Sequence, residues 1–297
     1  MREHHNGHRD YSQAFKIGVA LNVGFIILEV VFGILAGSLA LLADAGHNLG
    51  DVLGLILAWG ANYLTQREAT DRRTYGWRKS SILAALFNAI ILLVAIGGIG
   101  WEAVRRFNQP SHVAGATIIW VAAVGVIING VTALLFMSGR KSDLNIRGAF
   151  LHMAADAGVS VGVVLAGIGL IITGWQWLDP AVSLLIVVII FIGTWGLLKD
   201  SFNLALDAVP RHINTDEVRN YLLGLPGVSQ VHDLHIWGMS TTEVALTAHL
   251  VKQSPEEDDY LIAKMKEELH NSFAIDHITI QWERGQEFLN CENSCET

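Results

Sequence analysis

Cysteine is nearly absent from this chain, which has two in 297 residues, Cys291 and Cys295. Both fall in the last seven positions, so no disulfide framework holds the fold together. Charge is also scarce, at 16% of residues, and its net value of -8 argues against nucleic-acid binding, which needs clustered Lys and Arg. No H-E-x-x-H string of the helical zinc hydrolases occurs. No signal-peptide pattern precedes the first apolar run: Met1 to Asp10 is polar and acid-containing, so that run is expected to be retained. What the chain has instead is apolar surface, with 52% hydrophobic residues, 29 glycines and a mean hydropathy of +0.40. This excludes both a single soluble globule and a disordered chain.

The charge divides unevenly. Residues 1–200 carry a net +2 and residues 201–297 a net -10, so a membrane domain is followed by a segment of ordinary soluble composition. A spanning helix needs about 20 mostly apolar residues. Six stretches qualify, at 15–37, 39–64, 80–103, 113–137, 147–173 and 177–198. Lys and Arg concentrate in alternate loops: Arg2, Arg9 and Lys16; then Arg67, Arg72, Arg73, Arg78 and Lys79; then Arg140, Lys141 and Arg147. The positive-inside rule therefore places both termini in the cytoplasm, where Cys291 and Cys295 stay reduced. The expected organisation is a His-bearing cytoplasmic leader (1–14), a six-span all-α transmembrane domain (15–200), a cytoplasmic α+β domain (201–285) and an acidic tail (286–297).

Within the cytoplasmic part, Asn214 with Glu217 reads as a capped helix start that stops at Leu225-Pro226-Gly227. Runs rich in Val, Ile, Leu and Thr at 228–237 and 243–251 predict a hairpin across Gly238-Met239-Ser240. Ser254-Pro255-Glu256 opens a second helix to about Phe273, and alternation over His277–Glu283 predicts a third strand. The order αββαβ describes a small two-layer sandwich.

The chemistry lies in two copies of H-x-x-x-D, His47 with Asp51 in span 2 and His152 with Asp156 in span 5. Side chains four apart project from one helix face. Two such helices offer two imidazoles and two carboxylates to one point, a tetrahedral set suited to Zn²⁺. Ionisable residues inside a membrane are costly and mark ion or proton pathways. Asp44 lies on the same stripe as an approach ligand or outer partner, and Asn22 and Glu29 in span 1 read as pathway-lining or packing groups. Gly46, Gly50 and Gly54 in span 2, and Gly158 and Gly162 in span 5, have the spacing of closely packed helix faces. Gly158-Val-Ser160-Val-Gly162 also fits the G-x-S-x-G nucleophile string. That string requires a strand-to-helix elbow, so here Ser160 is expected to bond back to its own helix.

Taken together, the paired motifs, Thr74-Tyr-Gly-Trp77 with Ile82-Leu-Ala-Ala-Leu86, Asp179-Pro180 and Val231-His-Asp-Leu-His-Ile-Trp237 resemble the zinc-transporting branch of the cation diffusion facilitator family, in its bacterial form. The resemblance implies a homodimeric Zn²⁺/H⁺ antiporter in the cytoplasmic membrane, with His47, Asp51, His152 and Asp156 as its transport site. It makes Co²⁺ or Cd²⁺ further substrates, protons the counter-ion and the lipid bilayer a partner. It further implies a regulatory cytoplasmic metal site of His232, His249 and Glu283, with Asp276 a weaker member, and a charge pair between Lys79 and Asp207. Gly139–Arg147 is short and lacks histidine, and Trp77-Arg78-Lys79 stands where some relatives carry a histidine. His4, His5, His8, Cys291 and Cys295 are candidates for loose metal binding only. The rival readings are a metal-sensing membrane protein without transport and an intramembrane zinc hydrolase. The latter needs an open coordination position, whereas four ligands fill a tetrahedral site.

Overall fold

The computed structural model describes residues 12–65, 67–109, 111–137, 144–255 and 258–284. His4, His5, His8, Cys291 and Cys295 lie outside them. Each apolar stretch forms one helix: α1 (Ser12–Ala36), α2 (Leu39–Thr65), α3 (Ser80–Asn108), α4 (Gly115–Phe136), α5 (Leu144–Thr173) and α6 (Leu178–Ala205). All six contain a window long and apolar enough to cross a membrane. Two helices run five or more residues past the C-terminal end of their apolar stretches, because backbone hydrogen bonding does not stop where hydrophobicity does. α3 continues through Arg105 and Arg106, whose charges suit a helix C-terminus and pair with Glu102 at 3.0 and 3.2 Å. α6 continues to Ala205.

The chain divides into two compact units, residues 1–56 with 88–196 and residues 57–87 with 197–297. In the first, α4 and α5 pack closely, and a Cβ on Gly115 or Gly167 would meet the other's carbonyl oxygen at 3.3 Å. Phe25, Leu41, Ala43, Ile96, Ala122 and Val163 form part of the interior, while Leu35, Val94, Trp101, Trp120 and Ile172 point outward. An apolar exterior is what lipid requires. The start of α2 shows how a buried charge is accommodated. Ser38 Oγ accepts the Leu41 N–H at 3.2 Å, and the buried Asp179 carboxylate, reaching over from α6, accepts the Leu39 and Ala40 N–H groups at 2.8 and 3.3 Å. A negative group thereby meets otherwise unpaired amides at the positive end of a helix dipole.

The second unit adds α7 (Thr215–Leu223), β1 (Val228–Gly238), β2 (Val244–Lys252), α8 (Asp258–Phe273) and β3 (His277–Glu283), the expected αββαβ order. Asn214 caps α7 by accepting the Asp216 N–H at 3.1 Å, while its side-chain amide donates to Glu217 at 2.9 Å. The sheet order is β1-β2-β3, with β1 and β2 antiparallel and β2 and β3 parallel. A core of Val218, Leu222, Ile236, Leu250, Leu261, Met265 and Leu269 fills the space between the sheet and its two helices.

Candidate functional site

Helical spacing sets His47 and Asp51 one turn apart on α2, and His152 and Asp156 one turn apart on α5. The contacts across the helices are the shorter ones. His47 Nε2 lies 3.2 Å from Asp156 Oδ1, and His152 Nε2 lies 3.2 Å from Asp51 Oδ2, against 3.9 and 3.7 Å for the pairs within each helix. One ligand atom each of His47, Asp51 and Asp156 fall within 4.8 Å of one another. The His152 ring stands edge-on to His47 at 6.1 Å between centroids and reaches the cluster through both carboxylates. Asp51 Oδ2 and Asp156 Oδ2 are shielded from solvent and accept no hydrogen bond. Each faces His152 Nε2, at 3.2 and 3.7 Å, and shielded carboxylate oxygens this poorly satisfied favour a cation.

Asp51, His152 and Asp156 border a cavity of about 470 Å³ that is also lined by Asn22, Asn48, Asn88 and Thr132. Behind the quartet, Glu29 and Asp44 are fully buried. Asn48 Nδ2 donates to Glu29 at 3.1 Å, and Ser160 Oγ donates to Asp44 at 3.3 Å. Ser160 therefore does not bond back to its own helix as expected. It lies mid-way along an unbroken α5, far from any strand-to-helix elbow, and serves a buried carboxylate instead. The glycine expectation divides between the two helices. A Cβ on Gly50 would collide with Leu92, and one on Gly54 would press on Asn88 at 3.2 Å, but Gly158 and Gly162 have nothing within 4 Å. The close approach on α5 is made by Gly167.

In the second unit, antiparallel register sets His232 directly opposite His249. Their rings lie 5.3 Å apart at 78°. Glu283, at the end of β3, is buried and bridges them, with Oε2 2.8 Å from His232 Nε2 and Oε1 2.9 Å from His249 Nδ1. Ligand atoms of the three residues lie within 4.8 Å of one another. Asp276 is not in this group, since it accepts the Val244 N–H at 2.9 Å and faces His270 at 3.4 Å.

The transmembrane part, residues 15–204, matches the family model described as the cation efflux transmembrane domain, and residues 210–285 match the cation efflux protein cytoplasmic domain. The chain belongs to the cation efflux family. It is similar to the cation efflux system protein CzcD of Alcaligenes sp., at 38% identity over 91% of this chain and 86% of that protein. It is 33% identical to the cadmium, cobalt and zinc/H(+)-K(+) antiporter of Bacillus subtilis over 94% of this chain and 91% of that protein. Against the zinc transporter ZitB of Escherichia coli the identity is 37%, over 89% and 84%.

This cation efflux transporter is thus a multi-pass membrane protein whose polar residues gather at two places. The expected pair of Lys79 and Asp207 is in contact at 2.6 Å. Arg78, beside it, donates to Glu243 at 2.8 Å and lies 2.7 Å from His277. One further residue at the cytoplasmic cluster escaped the sequence reading. Asp233 lies 2.8 Å from His235 and 3.4 Å from His249, and its bond to His235 holds its carboxyl below the ordinary carboxylate range. Strict strand alternation sets residue 233 on the face opposite its neighbour His232. A register shift between His232 and His235 changes that, and the adjoining His-Asp-Leu-His string was the available signal.

Proposed function

We propose that this protein exports Zn²⁺ from the cytoplasm in exchange for protons, with His47, Asp51, His152 and Asp156 as the four ligands of the transported ion. The convergence of two H-x-x-x-D motifs from separate helices, with cross-helix contacts of 3.2 Å, carries the reading. Two neutral imidazoles and two carboxylates suit a borderline-soft, four-coordinate ion, and the relatives named for zinc, cadmium and cobalt support that substrate class. The ligands bind metal only when deprotonated, so protons arriving from outside compete with the ion and release it. The imidazoles and carboxylates thus carry zinc in one direction and protons in the other. No covalent step is required, and the chain works as a transporter rather than an enzyme.

The working form is a homodimer in the bacterial cytoplasmic membrane with both termini inside, as the loop charges and the cytoplasmic domain support. His232, His249 and Glu283 form a regulatory metal site, their two nitrogens and one carboxylate lying close enough to share an ion. The net charge of the C-terminal segment raises cation concentration near the cytoplasmic entrance.

The test is zinc flux into sealed inside-out proteoliposomes with an imposed pH gradient, using the unaltered chain, Asp51→Ala and Asp156→Ala. Gradient-driven uptake that is lost in both variants is expected, along with weaker transport as the pH of the outward side rises. Uptake that persists in both variants overturns the site. Flux indifferent to the gradient overturns the exchange, and no flux in folded unaltered protein favours a sensor.

A further inference from the structure

The two ring nitrogens of His249 face different carboxylates. Nδ1 lies 2.9 Å from Glu283 Oε1, on the side where His232 also converges, while Nε2 lies 3.4 Å from Asp233 Oδ2. A neutral imidazole has one N–H and one lone pair, and whichever partner takes the N–H decides which nitrogen is left for a metal. We propose that Asp233 is a positioning residue of the cytoplasmic metal site: it takes the Nε2–H of His249 and so presents Nδ1, with His232 and Glu283, as the metal ligand. The inference rests on the reading of that trio as a metal site and says how its affinity is set.

The backbone is shaped for this contact. Asp233 has φ 50°, a left-handed conformation that few residues other than Gly, Asn and Asp tolerate. It sits where the β1–β2 pairing slips between His232 and His235, and bulges of this kind re-aim a side chain next to a site. Without the slip, Asp233 would point away from His232 and out of reach of His249. Its second oxygen, Oδ1, lies 2.8 Å from His235 Nε2, which gives the carboxylate a second partner on the same strand. A carboxylate that takes the far N–H of a ligating histidine fixes its tautomer and raises its basicity, and removing such a partner costs about 10–100-fold in metal affinity.

The test uses the full chain in detergent, carrying Asp51→Ala to disable the membrane quartet, with Zn²⁺ affinity measured by competition against a chromophoric chelator. Asp233→Asn, which the left-handed backbone tolerates, is expected to weaken binding about 10–100-fold, and His232→Ala to abolish binding. The ¹⁵N-histidine spectrum of the zinc-bound chain without further substitution should show His249 protonated at Nε2 and metallated at Nδ1. Metallation at Nε2 overturns the proposal whatever the variants do. Unchanged affinity in Asp233→Asn alongside lost binding in His232→Ala also overturns it. Unchanged binding in His232→Ala overturns the metal-site reading itself.

Discussion

His47 Nε2 and Asp156 Oδ1 approach to 3.2 Å although 109 residues separate them in the chain. That contact ties α2 to α5, and it sets an imidazole against a carboxylate that is almost wholly shielded from solvent. At this contact α2 presents a nitrogen, and the softness of the donor atoms selects among divalent ions.

Replacing that nitrogen by an oxygen is therefore expected to change the substrate. His47→Asp leaves one imidazole and three carboxylates, a harder set that favours Mn²⁺ relative to Zn²⁺. In proteoliposomes the ratio of zinc to manganese flux should fall about tenfold or more, equivalent to a difference of about 1.4 kcal/mol in relative binding. An unaltered ratio with normal total flux would place the selective ligand elsewhere.

Much of this arrangement was legible in the sequence, for identifiable reasons. Helix period and bilayer thickness are both fixed, so paired motifs in apolar runs predict which side chains share a face. In β2, period-two alternation sets His249 with Thr247, away from the buried Ala248 and Leu250. What escaped depended on tertiary neighbours. Equal glycine spacing marked α2 and α5 alike, yet only Gly50 and Gly54 face a neighbouring side chain closely. Ser160 was expected to satisfy itself locally, but a buried carboxylate on α2 is the stronger acceptor. Asp233 was hidden by a bulge, which a period-two reading cannot anticipate. Asp179 entered only as part of the Asp179-Pro180 string, while its acceptor role at the start of α2 depends on packing between helices.

Ser160→Ala separates a structural serine from a nucleophile. Its hydroxyl donates to Asp44 at 3.3 Å, and the other Asp44 oxygen, Oδ1, already accepts no hydrogen bond. Removing the donor leaves a fully buried carboxylate less satisfied, at a cost of about 1–3 kcal/mol. The variant should melt at a lower temperature in detergent but retain zinc flux per folded molecule. Loss of a hydrolytic activity at unchanged melting temperature would instead revive the G-x-S-x-G reading.

Tyr221 gives the cytoplasmic unit a pH dependence of its own. Its ring packs against Phe273 at 5.7 Å, and its hydroxyl is shielded from solvent with no hydrogen bond. Burial, reinforced by the charge of Glu268, pushes the phenol above its ordinary value, which is about 10. The native state thus holds the proton more tightly than the unfolded chain does. This contribution is fully present below the unfolded value and is lost as pH rises through the native one. Tyr221→Phe removes both the unsatisfied hydroxyl and its titration. At pH 8 the variant should be at least as stable as the unaltered chain, by a margin of about 1 kcal/mol in chemical denaturation. As pH rises above about 10, the ordinary phenol value, it should lose less stability than the unaltered chain, so the gap widens. A variant that is weaker at pH 8 and falls in parallel at alkaline pH would mean that the hydroxyl has a stabilising partner in solution.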